Sequence, residues 1–283
     1  MQEFDFIDQC LKPLCAPRAL ADDTSVAIGG QALVVNTDTI VEGRHFLSAD
    51  PADSVAKKLV RVNISDLAST GARPQYLSLA MSLGHTADER WLRHFVTGLA
   101  EDLSEFGLTL LGGDTTRTDG ASVLSAHMIG NMEARRPMRR WQARSGDDVW
   151  LGRPLGLGGL GLADAQAGRS SPYAWRYWVP SPQLDLGLKL SGLDARIACA
   201  DVSDGLGSDL GHIARASGVR IELDQVPVEP GGDMNAGDDY CLVAVTDQDL
   251  SPLGMTKIGR AKPGDPGVIF EGQDISRSGY EHR

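Results

Sequence analysis

Residues 53–83 read DSVAKKLVRVNISDLASTGARPQYLSLAMSL, and two periodicities meet in them. Residues 53–69 read as a helix, and 76–83 as a strand in which Leu77, Leu79, Met81 and Leu83 fall on one face, as a two-residue period requires. A second helix is expected over 88–106, where Trp91, Phe95, Leu99 and Leu103 recur every fourth residue as a stripe for burial. Upstream, 32–35 reads as a strand. Short apolar runs alternating with helical patterns predict a mixed α and β protein.

Downstream, residues 135–148 combine charge, proline and glycine after an apolar run, which places a domain boundary there. The reading divides the chain into residues 1–138 and 139–283. In the second part 149–151, 197–200, 219–223 and 241–246 read as strands, and 183–193 and 208–217 as helices. Residues 227–237, with three glycines, two prolines and no periodicity, read as a tight loop.

The 283 residues, 42% of them hydrophobic, can fill the core of one large or two ordinary domains. A net charge of -11 argues against nucleic acid and anionic membrane surfaces as partners. Arg135, Arg136, Arg139 and Arg140 form a basic cluster, which reads as a solvated turn. Cys10, Cys15, Cys199 and Cys241 show no C-x-x-C pairing and read as reduced, structural thiols. No apolar run of about eighteen residues occurs, and the opening Met-Gln-Glu-Phe-Asp lacks the basic flank of a secretory signal. A cytoplasmic protein is expected.

Chemistry concentrates in aspartates beside glycine or small hydroxyl residues: Asp22 and Asp23, Asp38, Asp66, Asp114, and Asp201 with Asp204. Mg²⁺ takes oxygen ligands and is commonly held by one or two carboxylates plus substrate phosphates, so several ions need several scattered carboxylates. Each cluster also has a plain structural reading. Asp38 and Asp66 could be turn or capping residues, Gly112-Gly113-Asp114 a glycine turn, and Ser203 a helix cap. No P-loop or protein-kinase signature is present. Gly156, Gly158 and Gly161 match G-x-G-x-x-G, but the run is leucine-rich and lacks the aspartate that should follow about 20 residues on.

Four stretches taken in order carry a resemblance: residues 36–46 (NTDTIVEGRHF), 62–68 (VNISDLA), 112–114 (GGD) and 202–206 (VSDGL). Together they resemble the thiamine-monophosphate kinase family, within the superfamily of aminoimidazole ribonucleotide synthetase, over residues 22–280. The resemblance implies a two-domain α/β fold. Its N-terminal mixed sheet would form a barrel across a homodimer, bind ATP and Mg²⁺ near that interface, and precede a C-terminal α/β domain. By similarity Asp22, Asn36, Thr37, Asp38, Asp66, Asp114, Asp201 and Asp204 would bind magnesium, with Asp38, Asp66 and Asp114 central to catalysis. Gly113, Asp114, Arg140 and Ser203 would contact ATP, and His45, Asp238 and Tyr280 the thiamine phosphate.

Three departures stand out. Asn36 occupies a position that is usually serine or threonine, although an amide oxygen still suits a hard cation. The usual Gly-Gly-Glu-Asp-Tyr appears as Ala236-Gly237-Asp238-Asp239-Tyr240, one methylene shorter at the substrate-facing carboxylate. Residues 227–235 are abbreviated.

The expected reaction is direct phosphoryl transfer from ATP to thiamine monophosphate. The rival readings are another ATP-dependent synthetase of the superfamily and a weakly active nucleotide-binding regulator. Selenophosphate synthetase chemistry is disfavoured by the absence of a glycine-flanked cysteine followed by lysine near the N-terminus.

Overall fold

The computed structural model describes residues 25–29, 31–132 and 137–281. Asp22, Asp23, Cys10, Cys15, Arg135 and Arg136 lie outside them.

Two sheets carry the chain. The first has the order β1-β2-β5-β3-β4, built from β1 (Ser25–Gly29), β2 (Gln31–Val41), β3 (Ala72–Leu83), β4 (Thr109–Arg117) and β5 (Val123–Met132). Only β3 and β4 pair in parallel. The second has the order β12-β11-β8-β10-β6-β9-β7. Its strands are β6 (Asp148–Leu151), β7 (Ala198–Val202), β8 (Arg220–Leu223), β9 (Cys241–Thr246), β10 (Thr256–Lys262), β11 (Gly267–Phe270) and β12 (Gln273–Asp274). The mixed α/β expectation holds.

Helix α1 (Ala52–Thr70) is buried on nearly every side and stops at Gly71, whose φ of 82° is the left-handed C-cap that glycine adopts without strain. Helix α2 (Glu89–Glu105) starts where the Asp88 carboxylate accepts the Trp91 N–H at 2.7 Å, and its Trp91 and Phe95 rings stack. These two helices cover one face of the first sheet, closing a core of Val34, Ile40, Leu59, Leu77, Phe95 and Leu124. Among the described residues the opposite face carries no such cover. Exposed Thr37, Thr39 and His127 lie on it, and the whole of β4 is exposed.

Helices α3 (Leu157–Gln166), α4 (Pro172–Trp178), α5 (Leu184–Ser191) and α6 (Leu206–Ser217) are the other α-helices among the described residues. Leu210 and Ile213 of α6 pack on one face of the second sheet with Val149, Ile221 and Val243. On its other face Trp150, Leu242 and Ala244 meet Leu190 of α5 and Ala68 of α1. Helix α1 therefore touches both sheets, and the site is built around it.

Candidate active site

One side of α1 carries polar groups into the interior. Asn36, on the helix-covered face of β2, donates its amide to Asp66 Oδ2 at 2.8 Å and to Asn63 Oδ1 at 3.0 Å. One residue before Asp66, Ser65 donates to Asp201 Oδ2 of β7 at 2.5 Å. Helix α1 thus joins the end of β7 to the middle of β2.

After β7 the chain turns through Ser203, Asp204 and Gly205, whose three amides donate to a single carboxylate oxygen of Asp209 at 3.0, 3.1 and 3.1 Å. That buried acceptor fixes the turn. The neighbouring loop follows it: Asp238 N–H donates to Ser203 O at 2.8 Å and Tyr240 N–H to Val202 O at 2.7 Å. Asp238 and Tyr240 are held at φ 59° and 49°, left-handed values that cost a non-glycine residue about 1–3 kcal/mol each and persist only where the surroundings enforce them. Tyr280 N–H donates to Asp204 O at 2.9 Å, and its side chain is exposed.

The Tyr240 hydroxyl donates to Asp238 Oδ1 at 2.8 Å. Burial first, then the charge and hydrogen bond of Asp238 and the charges of Asp38 and Asp201, hold that hydroxyl well above the ordinary tyrosine range. It stays a donor, and Asp38 and Asp201 lie within its electrostatic reach. His45 Nδ1 accepts the Val41 N–H at 3.1 Å, which leaves Nε2 as the protonated nitrogen of the neutral ring. Arg140 opens a short 3₁₀ turn beside α6, where its carbonyl accepts Ser217 Oγ at 2.7 Å. Burial, then the charges of Arg140 and Arg215, push the His212 imidazole down to about 3.

The expected magnesium ligands fall on two sides of the first sheet. Asn36 and Asp38 share the helix-covered face, with Asp66 hydrogen-bonded to Asn36. Thr37 points the other way, its hydroxyl 2.9 Å from His127 Nδ1. Asp114 pairs with Ala80, Ala80 with Ser125, and Ser125 with Thr39 at a hydroxyl separation of 2.7 Å, so Asp114 belongs to the uncovered face. At three strand spacings the Asp38 and Asp114 backbones are roughly 14 Å apart. Among the described residues no three His, Cys, Asp or Glu side chains converge closely enough to hold one metal ion. Gly112 and Gly113 lie inside β4, at a register shift, rather than in the turn their sequence suggests.

The donor chemistry on the covered face fits a hard cation. Asn36 Oδ1 is buried with no hydrogen-bond partner among the described residues, beside a carboxylate already present on Asp66. An amide oxygen left in that state is the kind of group a cation satisfies.

Several contributors were not singled out beforehand. Asp239 receives the Gly156 and Gly158 amides at 2.8 and 3.1 Å and so caps α3; burial raises its pKa and those amides work against the rise. A side chain at Gly158 would collide with the carbonyl of Gly237, and one at Gly161 with α4, so the glycine-rich run is a packing device whose helix start is filled by Asp239. Lys58 carried a readable signal. It is a lysine at a position where the buried period of Val55, Leu59 and Val62 calls for an apolar residue.

The profile of the family described as AIR synthase related protein, N-terminal domain, matches residues 21–132. Thiamine-monophosphate kinase of Caulobacter vibrioides is 34% identical, covering 99% of this chain and 90% of the relative. The chain belongs to the thiamine-monophosphate kinase family. The Escherichia coli K12 kinase of that name is 35% identical over 89% of this chain and 87% of its own length. Among solved structures, AaThiL complexed with AMPPCP and TMP superposes with a TM-score of 0.90 at 26% identity, covering 100% of this chain and 97% of that one. AaThiL therefore shares the two-sheet fold described above.

Proposed function

We propose that this chain transfers the γ-phosphoryl group of ATP to the phosphate of thiamine monophosphate, yielding thiamine diphosphate and ADP. The observation that carries the reading is whole-chain likeness to a structure described as holding an ATP analogue and TMP together. The placement of Asp66, Asp201 and Asp238 on or against α1 supports it.

An oxygen of the acceptor phosphate forms the new P–O bond while the bond from Pγ to the β–γ bridging oxygen breaks and ADP departs. The second pKa of a phosphate monoester, about 6, leaves the acceptor ionised at neutral pH, so no side chain need remove a proton. Positioning and charge neutralisation then remain as the work of the protein. Asn36, Thr37, Asp38, Asp66, Asp114, Asp201 and Asp204 are the residues assigned to Mg²⁺, with Asp22 added from the sequence; when bound, the ions neutralise phosphate charge. Gly113, Arg140 and Ser203 are assigned to ATP, and His45, Asp238 and Tyr280 to thiamine monophosphate.

We assign residues 1–138 to the nucleotide-binding and dimer-forming domain and 139–283 to the α/β domain. A homodimer through the first sheet is supported by exposed Tyr76, Leu110 and Leu111 on β3 and β4, and packing of the uncovered face in it would bring Asp114 and Thr37 to a subunit boundary. A cytoplasmic setting is proposed on the reaction's demand for ATP; no described helix is long and apolar enough to cross a membrane.

Incubation of the purified protein with ATP, MgCl₂ and thiamine monophosphate, followed by chromatography, tests the reading. Stoichiometric thiamine diphosphate and ADP are expected. ATP binding with no thiamine diphosphate would overturn it.

A further inference from the structure

Lys58 is 2% exposed at its side chain, buried in the middle of α1. Its ammonium donates to Asp238 Oδ2 at 2.9 Å and to the His45 carbonyl at 2.8 Å, and lies 3.8 Å from the centre of the Tyr177 ring. The Tyr177 hydroxyl donates to the same His45 carbonyl at 3.3 Å. Burial, then the charges of Asp50 and Asp238, raise the pKa of that hydroxyl far above the ordinary tyrosine value, so it remains a donor.

From this geometry we infer that Lys58 is a positioning residue for the acceptor substrate, setting Asp238 and His45 against it without touching it. The inference deepens the proposed function and rests on it. Three observations carry it. A side chain 2% exposed has no free surface for a ligand, whereas Asp238 is 29% exposed and can meet one. Both carboxylate oxygens of Asp238 are engaged from behind, Oδ2 by Lys58 and Oδ1 by Tyr240, which fixes the carboxylate plane. And the two groups Lys58 grips, Asp238 on the loop after residue 236 and His45 on the turn after β2, come from opposite ends of the chain.

The arrangement also explains how an aspartate serves where the family pattern has a glutamate. A carboxylate one methylene shorter must be brought forward by its backbone and held there. The left-handed conformation of Asp238 supplies the first and the Lys58 ammonium the second. Lysine suits the role because its compact charge on a long apolar stem can be threaded through a core, with the Tyr177 face neutralising part of its desolvation.

The test uses the full chain and four variants: Lys58→Met, Lys58→Arg, Asp238→Asn and the double Lys58→Met/Asp238→Asn. Wild-type turnover of thiamine monophosphate is measured first and decides the proposed function by itself. Given turnover, Lys58→Met should raise KM for thiamine monophosphate roughly tenfold or more while KM for ATP moves less than about twofold, and Lys58→Arg should recover part of the loss. Because Lys58 acts through Asp238, the double variant should match Asp238→Asn within about threefold. That last comparison stands even if Lys58→Met alone does not fold, since the double variant leaves no unpaired buried charge. Equal losses in both KM values, or a Lys58→Met effect undiminished in the Asp238→Asn background, would overturn the inference.

Discussion

Ser65 and Asp201 lie 136 positions apart in the chain and share the 2.5 Å hydrogen bond that ties helix α1 to the end of β7. Ser65 is fully buried and Asp201 nearly so, and the bond fixes the direction of a carboxylate assigned to magnesium. Removing a donor from a buried carboxylate costs about 1–3 kcal/mol. Ser65→Ala should therefore lower unfolding free energy by that order in a urea titration. It should also raise the Mg²⁺ concentration needed for half-maximal turnover. An unchanged Mg²⁺ requirement would detach Asp201 from the metal site.

Asp38 and Asp66 are assigned to the same cation chemistry on the covered side of the first sheet. Asp38→Asn and Asp66→Asn should each reduce turnover by about 10²-fold or more, because each removes charge needed where phosphate charge develops. Circular dichroism should report an intact fold. Wild-type rates in both would contradict the assignment.

Asp209 never reaches the substrate in this reading, yet its carboxylate holds the amides of Ser203, Asp204 and Gly205. Asp209→Ala should release that turn and lower kcat/KM for ATP by roughly tenfold to a hundredfold, an expected loss of about 1.4 kcal/mol per tenfold. Asp209→Asn keeps one acceptor oxygen and should fall between the two. Steady-state kinetics with ATP varied at saturating Mg²⁺ measures both.

His212 supplies a pH dependence. Its pKa, about 3, is depressed from the ordinary 6.5, so the unfolded chain binds the extra proton between those values. The neutral imidazole therefore contributes stability that is fully present above about pH 6.5 and is lost as pH falls toward 3. The slope is at most about 1.4 kcal/mol per pH unit for one group. Urea midpoints of wild type and His212→Gln, compared from pH 7 to pH 4.5, should converge as the pH drops. Parallel curves would show that His212 does not titrate in this window.

Much of the framework was legible because burial writes periodicity. Helices α1 and α2 and strands β3, β6 and β9 sit where periodicity or a short apolar run placed them. Strand β4 was not legible, since an edge strand exposed along its whole length leaves no apolar alternation to read. Helices α3 and α4 were hidden for a different reason: glycines in α3 mark close packing against a loop and a neighbouring helix, and only the folded chain shows what they meet.

The site divides in the same way. The four motif stretches carried the family, and with it the metal and phosphate chemistry proposed above. What one chain's sequence could not reveal was sidedness. Residues 36, 37 and 38 are adjacent letters, but the pleat sends Thr37 to the uncovered face and its two neighbours to the interior. Of the supporting groups, Lys58 stood out only as a lysine within a buried helical period, with nothing to name its partner 180 positions away, and Asp209 is a common residue type whose meaning depends on amides up to 6 positions away.

Helix α1 grips the loop proposed to meet the substrate at Lys58 and the strand proposed to meet the metal at Ser65, seven positions further on, close to two complete turns. The helix is in effect a ruler, with graduations about 10 Å apart on a common edge. A single residue inserted between those marks would swing the later one by about 100° and leave acceptor and nucleotide machinery intact but facing apart. Length and phase of this segment are thereby constrained as tightly as the identity of any side chain it bears.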